Sequence, residues 1–278
     1  MPNKEKKPII CPNCRKLINH DEERCPYCGI ARPAASWKRY LADSIGSRDV
    51  VSVVFYANIA FYILSILLDP RKVGVSANPF MFLSPSDNSL FVLGATGTIP
   101  VGLFHRWWTL VSASFLHGSI LHIFFNMAAL RQLGPFVMHE YGTGRFIIVY
   151  VLSGVVGFYV SVLAGIPFTI GASASLCGLI GAILYYGKSR GGFYGQAVYK
   201  QALGWVIGLV LFGLLVPGIN NWAHGGGIVA GALTGFFVGY EEKKAENQLH
   251  KILAAGLVVL TCLVLLWAVL QAIYFRFY

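Results

Sequence analysis

Long apolar segments recur between residues 50 and 275, and they constrain the fold of this chain more than any other feature. A helix needs about 20 apolar residues to cross the hydrocarbon core of a bilayer, and fewer where it starts below the surface. Only 12% of the residues are charged, against about 25% in a typical soluble domain. The chain is therefore predicted to be an all-α polytopic membrane protein. Its predicted spans lie at roughly 50–68, 114–134, 146–164, 173–187, 201–216, 224–240 and 252–275.

The polar start of the chain divides it into four predicted parts. Residues 1–33 are predicted to form a small cytosolic zinc ribbon, and 34–49 a basic linker. Residues 50–246 would form a core of six transmembrane helices, and 247–278 a seventh transmembrane helix. No apolar stretch of the kind found in a secretory signal peptide occurs before residue 50, so we expect no signal peptide in residues 1–49.

Four cysteines near the start have the spacing of a zinc site. The sequences CPNC and CPYCG are separated by ten residues, and two such pairs favour tetrahedral thiolate ligation of zinc. A segment this short and polar needs a metal to fold, so the zinc is predicted to be structural, with none used for catalysis. The ribbon could also bind a cytosolic partner. The predicted ligands are Cys11, Cys14, Cys25 and Cys28.

The positive charges indicate how the chain lies in the membrane. Ten of the 22 Lys and Arg residues precede residue 50, and eight more fall in loops on the same predicted side. Cytosolic loops are rich in Lys and Arg, so the N-terminus is predicted to be cytosolic in a multi-pass protein of the cell membrane. The net charge of +10 is assigned to this asymmetry, and no nucleic-acid partner is expected.

Polar groups within three of the predicted spans need an explanation, because such groups are costly in a bilayer. They lie near the outer ends of the second, fourth and sixth spans, in the sequences FLHGSILHIFFNM, IGASASLCGLIGA and NWAHGGGIVAG. All three spans would run from outside to inside, so these groups share one depth. They are His117, His122, Asn126, Ser173, Ser175 and His224.

A hydroxyl and an imidazole at one depth can form a nucleophile and its base. Ser173 would lie roughly 22 Å above Lys188 at the inner interface, and His224 at a comparable level. Histidine has a pKa suited to removing the serine proton. His122 and Asn126 are four residues apart and share a helix face. With the Ser173 backbone N–H, they could donate hydrogen bonds to an oxyanion.

Three segments, HGSILHIFFN, GASASLCGLIGA and AHGGGIVAG, resemble the signature blocks of rhomboid proteases. The resemblance implies a serine–histidine dyad without an acidic third member, with Ser173 as nucleophile and His224 as base. It implies His122 and Asn126 as oxyanion partners and a six-helix core with a seventh C-terminal helix. It further implies substrates with a single transmembrane helix. The predicted orientation places the cleavage site on the extracytoplasmic side.

The sequence departs from the family pattern at three positions. The family commonly has glycine after the nucleophile, where this chain has Ala174. Its first loop often contains tryptophan followed by arginine, where this chain has Trp108 followed by Thr109. An aromatic residue often lies four positions after the nucleophile, where this chain has Cys177. The support of His224 is therefore expected to come from another residue.

The predicted function is that of an intramembrane serine endopeptidase acting on transmembrane segments in the lipid bilayer. The first alternative is a rhomboid-like pseudoprotease that binds membrane helices without cleaving them. A transporter is the second, and it is disfavoured because no Asp or Glu falls within a predicted span.

Several polar residues have simpler expected roles. Ser175 is expected to bond to its own helix, and His117 to be a structural histidine with an interhelical hydrogen bond. The charged run 241–251 is expected to be a solvated turn. Glycines in the fourth and sixth spans are expected to let these helices approach closely.

Overall fold

The computed structural model describes residues 8–11, 16–27, 29–35, 47–78 and 81–277. The described residues are mostly helical, which confirms the predicted class. Short helical turns fill much of the long connection from residue 69 to 119: Pro70–Lys72, Asp87–Val92, Thr98–Leu103, Thr109–Ser112 and Ala113–Phe115. The long helices are α1 (Ser47–Leu68), α2 (Ile120–Tyr141), α3 (Thr143–Leu163), α4 (Ser173–Arg190), α5 (Gly192–Leu215), α6 (Asn221–Val238) and α7 (Gln248–Phe277).

Five of the long helices, α1, α2, α3, α5 and α7, have the length and hydropathy needed to cross a membrane. The other two, α4 and α6, have 18 residues each, or about 27 Å of helix. Both are rich in glycine, which lowers their hydropathy. The structure therefore supports five of the seven predicted spans by composition alone.

Helices α3, α4 and α6 pack together at the centre of the fold. A Cβ atom at Gly231 of α6 would overlap the carbonyl of Gly178 on α4, and one at Gly181 would overlap the carbonyl of Ile228. Gly227 lies in the same way against the carbonyl of Ala174. The predicted close approach of these two helices is confirmed.

Hydrogen-bonded caps shift the helix ends from those predicted by hydropathy. In α2, the Ser119 hydroxyl accepts a hydrogen bond from the His122 backbone N–H at 3.2 Å, so the helix begins at residue 120 rather than 114. It continues through Pro135 to Tyr141 and thereby includes Glu140, whose side chain is buried. The expectation that no acidic residue lies within a span is wrong at this position.

The charged segment 241–251 is not simply a solvated turn. The fully buried guanidinium of Arg145 on α3 donates to His250 Nδ1 at 3.1 Å and to the Lys244 carbonyl at 2.7 Å. It also pairs with Glu241 Oε1 at 3.4 Å, and the Glu246 carboxylate accepts from the Arg145 backbone N–H at 3.0 Å. This network fastens the connection between α6 and α7 to the start of α3.

Helix α7 packs on α3 and on the short helices Asp87–Val92 and Thr109–Ser112. Arg106 joins these parts by donating to the carbonyls of Phe91 and Val92 at 2.7 and 3.1 Å and to Gln271 Oε1 of α7 at 3.0 Å. Its guanidinium also lies 4.7 Å from the ring of Trp108. Arg106 thus anchors the first loop, although it precedes the tryptophan pair instead of following it.

The described part of the N-terminal region contains a two-stranded antiparallel hairpin. Strand β1 (Pro8–Ile10) pairs with β2 (Leu17–Asn19), and Cys11 and Cys25 are buried together against Ile18. The other two predicted zinc ligands, Cys14 and Cys28, lie outside the described residues. Within the described ranges, no cluster of three or more metal-binding side chains occurs, and the zinc ribbon stays a prediction.

Candidate active site

Ser173 lies at the start of α4, directly after a tight turn. Gly171 has a φ of +123°, a conformation that favours glycine, and its N–H donates to the Ala113 carbonyl at 2.8 Å. The Ser173 side chain is half-buried. The first N–H groups of a helix have no partner within that helix, so the Ser173 N–H is available to an anionic group.

The sixth helix brings His224 to this serine. His224 Nε2 lies 2.9 Å from Ser173 Oγ, although 51 positions separate the two residues in sequence. For Nε2 to accept the serine proton, the ring must carry its own hydrogen on Nδ1. Nδ1 is buried and has no hydrogen-bond partner among the described residues.

The ring of His122 lies beside the same serine. Its Nδ1 accepts a hydrogen bond from the Gly118 backbone N–H at 3.3 Å, so the neutral ring carries its hydrogen on Nε2. A Cβ atom built on Gly171 would lie 2.7 Å from His122 Nε2 and 3.6 Å from Ser173 Oγ. The Nε2–H group and the Ser173 hydroxyl therefore both border the space beside Gly171, where Nε2–H can act as a hydrogen-bond donor.

Asn126 lies one turn further along α2 and is turned toward its own helix. Its Nδ2 donates to the His122 carbonyl at 2.8 Å, and the residue is buried. No hydrogen bond joins Asn126 to Ser173 or His224 in the part of the chain that is described. The second hydrogen on Nδ2 is left for another acceptor.

His117 supports His122 by ring packing. The two rings meet edge to face with their centroids 5.0 Å apart, and His117 is fully buried. The polar interaction of its ring is with the backbone of Phe115, two residues earlier, and among the residues described the expected interhelical hydrogen bond is not found.

The residues that follow the serine pack away from it. The Ala174 methyl group lies in an apolar cluster with Ala113, Phe158 and Ala223. Ser175 does not bond to its own helix as expected, because its buried hydroxyl has no partner within the described ranges and lies against Gly154 of α3. Cys177 packs against Gly227 on α6, where its small side chain permits a close approach.

Asn220 was missed by the sequence analysis although it precedes the helix that carries His224. Its Oδ1 accepts a hydrogen bond from the Ala223 N–H at 3.0 Å and caps α6, which therefore begins at residue 221 rather than 224. An asparagine directly before an apolar helix is a recognised N-cap signal and could have identified this residue.

Comparison with known proteins shows which family this part of the chain is similar to. Residues 105–241 match the family model described as the Rhomboid domain. This rhomboid segment is just under half of the chain and contains Ser173, His224, His122 and Asn126. The match and the five long apolar helices of the chain together indicate a multi-pass membrane protein.

Several curated proteins are similar to the chain over a longer region. Rhomboid protease GluP of Bacillus subtilis (strain 168) is 28% identical over 205 residues, covering 73% of this chain and 38% of that protein. RHOMBOID-like protein 5 of Arabidopsis thaliana is 36% identical over 160 residues, covering 56% of this chain and 52% of that protein.

One relative has a name that indicates lost activity. Inactive RHOMBOID-like protein 8 of Arabidopsis thaliana is 31% identical over 159 residues, covering 56% of this chain and 44% of that protein. The chain therefore spans about half of the length of these relatives or less, and similarity alone does not decide activity.

Proposed function

We propose that this chain is an intramembrane serine endopeptidase that cleaves transmembrane segments of membrane proteins through a Ser173–His224 dyad. The observation that carries the proposal is the 2.9 Å separation of Ser173 Oγ and His224 Nε2. A serine hydroxyl becomes a useful nucleophile when an adjacent base takes its proton, and this distance is within hydrogen-bond reach.

In the first chemical step, His224 Nε2 takes the proton of Ser173 as Oγ attacks the carbonyl carbon of the scissile peptide bond. The carbonyl oxygen becomes an oxyanion in a tetrahedral intermediate. The imidazolium then gives its proton to the leaving nitrogen, the C–N bond breaks, and an acyl-enzyme remains on Ser173.

Three donors are proposed to stabilise the oxyanion. They are the Ser173 backbone N–H at the start of α4, the His122 Nε2–H group and the second hydrogen of Asn126 Nδ2. His122 is supported for this role because its Nδ1 is already engaged as an acceptor. Removal of one such donor typically lowers kcat by about 10²–10³-fold.

In the second chemical step, water replaces the leaving amine. His224 removes a proton from the water, the resulting hydroxide attacks the acyl carbon, and the proton returns to Ser173 Oγ as the ester bond breaks. The products are a carboxylic acid and the regenerated serine. Water would reach the dyad from the side of the membrane where α4 and α6 begin.

The proposed membrane setting follows the distribution of positive charge. The N-terminus would be cytosolic and the dyad near the extracytoplasmic surface of a cell membrane, with single-span membrane proteins as substrates. Residues 50–246 would form the catalytic core, 247–278 the seventh helix and 34–49 a linker.

Residues 1–33 are proposed to hold one structural zinc ion. The buried pair Cys11 and Cys25 fits this proposal, because two thiols share one small cluster beside a β-hairpin. With Cys14 and Cys28 they would supply four thiolates, which is the usual ligand set of a structural zinc site. Such an ion would stabilise the ribbon and would take no part in peptide hydrolysis.

A pseudoprotease is the second candidate, favoured by the similarity to Inactive RHOMBOID-like protein 8. Such a protein would bind a membrane helix and leave it intact. Cleavage of a model single-span substrate in liposomes separates the two functions. The proposal expects cleavage by the wild-type chain and none by Ser173→Ala or His224→Ala, whereas binding without cleavage by all three would favour the pseudoprotease.

A further inference from the structure

Among the described residues, no third ionisable side chain forms a hydrogen bond that would orient His224. Its Nδ1 is without a hydrogen-bond partner among the described residues, and the position four residues after Ser173 is the small Cys177. The ring must therefore be oriented mainly by the placement of α6 relative to the segment that carries Ser173. A contact that fixes these two segments together would set the dyad distance.

Asn220 makes such a contact with both functions of its amide. Its Oδ1 accepts from the Ala223 N–H at 3.0 Å and caps α6. Its Nδ2 donates to Ser161 Oγ of α3 at 2.6 Å and to Thr169 Oγ1 at 2.9 Å. Ser161 and Thr169 are buried, where hydrogen bonds between polar groups are worth more than at the surface.

The contact lies at the same separation in sequence from each of the two reacting residues. Asn220 precedes His224 by four residues, and Thr169 precedes Ser173 by four residues. Thr169 is itself held, because its N–H and carbonyl exchange two hydrogen bonds with the backbone of Thr96, at 2.7 and 3.0 Å. The amide of Asn220 thus joins the start of α6 to a fixed segment just before the nucleophile.

We propose that Asn220 is a positioning residue that sets the His224 imidazole against the Ser173 hydroxyl by tying the N-terminus of α6 to Thr169 and Ser161. The inference rests on the proposed function, since it assigns a role in that reaction. Asn220 touches neither reacting atom and acts through the start of α6 and the segment before Ser173. A displacement of about 1 Å at reacting atoms can lower a rate by about 10²-fold.

Two substitutions and one control distinguish the helix cap made by Asn220 from its hydrogen bonds to Ser161 and Thr169. Asn220→Ser keeps a side-chain oxygen that can cap α6, but serine is too short to reach Ser161 and Thr169. Thr169→Val removes the hydroxyl that accepts from Asn220 and leaves the backbone pairing with Thr96 available. Asn221→Ala is the matched control, because Asn221 donates to the Gly213 carbonyl of α5 at 3.0 Å and makes no hydrogen bond to the segment before Ser173 in the described residues.

The test measures kcat and KM for a single-span substrate in liposomes, per active site titrated with a fluorophosphonate, together with the thermal unfolding midpoint. Asn220→Ser and Thr169→Val are each expected to lower kcat about 10- to 100-fold, with KM within about twofold of wild type. The kcat of the double variant should fall no further than that of the worse single variant, because both substitutions remove the same Asn220–Thr169 hydrogen bond. Asn221→Ala should keep its kcat.

A purely structural role would lower the number of titratable sites and leave the kcat of each site unchanged. An unchanged kcat per site in Asn220→Ser or Thr169→Val, or additive losses in the double variant, would therefore overturn the inference while wild-type cleavage upheld the proposed function. A wild-type chain with no Ser173-dependent cleavage would overturn the proposed function and the positioning role together.

Discussion

Gly231 of α6 lies directly against the backbone carbonyl of Gly178 on α4, with no side chain between them. These are the helices that begin beside His224 and Ser173, so we expect their separation at this crossing to affect the geometry at their N-terminal ends. The small-residue crossing thus supports the candidate active site from a distance.

Gly231→Ala should open this crossing. A methyl group at residue 231 would overlap a backbone atom that cannot rotate away, and such overpacking typically lowers the free energy of unfolding by about 1–3 kcal/mol. The rate of substrate cleavage should fall together with the stability. Gly208→Ala on α5 is the control, because no atom lies within 4 Å of its added methyl group. A stability loss in the control equal to that in Gly231→Ala would argue against the crossing as the cause.

Arg145→Met should destabilise the attachment of segment 241–251 to α3. Removal of one member of a buried charged network leaves the others unpaired and commonly lowers stability by about 3–5 kcal/mol. The lower end is expected because the Glu241 side chain is 38% exposed. Arg190→Met breaks a more exposed pair with Glu242 and should change the unfolding midpoint little. Equal unfolding midpoints for the two variants would contradict the assigned role of Arg145.

Arg106→Lys should loosen the first loop. The three donors of lysine lie on one nitrogen and cannot reproduce the planar fork that reaches the two carbonyls and Gln271, so the free energy of unfolding is expected to fall by about 1–2 kcal/mol. Limited proteolysis between residues 69 and 112 should become faster. Arg71→Lys, at an exposed position in the same loop, should leave the proteolysis rate as in wild type. Protection of the loop in Arg106→Lys would show that another contact anchors it.

Zinc content tests the N-terminal prediction. Native mass spectrometry of the full chain is expected to find one zinc ion, which Cys25→Ser should lose because a ligand is removed. Cys262→Ser, at an exposed position on α7, should retain the ion. Absence of zinc from the wild-type chain prepared with zinc would refute the ribbon. Removal of residues 1–33 tests separately whether cleavage depends on it.

Much of the helical fold could be predicted because apolar length and small-residue spacing are local signals. The ends of α2 and α6 could not be predicted from hydropathy, since Ser119 and Asn220 define them through single hydrogen bonds. Capping rules applied to these residues would have corrected both helix starts.

In the candidate site, too, some residues could be predicted from the sequence and others could not. Ser173, His224 and His122 were predicted by motif and depth. The structure places Ser173 and His224 within hydrogen-bond distance, and His122 lies beside Gly171, two residues before Ser173. The contacts of Asn220, Arg145 and Arg106 join residues 50 or more positions apart, so no local pattern reveals them. Ser175 was misjudged because its neighbour is a glycine on another helix.

The pairing of Ser173 with His224 is the central claim, and the rate of fluorophosphonate labelling tests it most directly. The account predicts one label per chain, mapped by mass spectrometry to Ser173, absent from Ser173→Ala and slowed at least about 100-fold in His224→Ala, since general-base catalysis contributes about 10²–10⁴-fold. Labelling of His224→Ala at the wild-type rate, or a label at another residue in the folded wild-type protein, would contradict it.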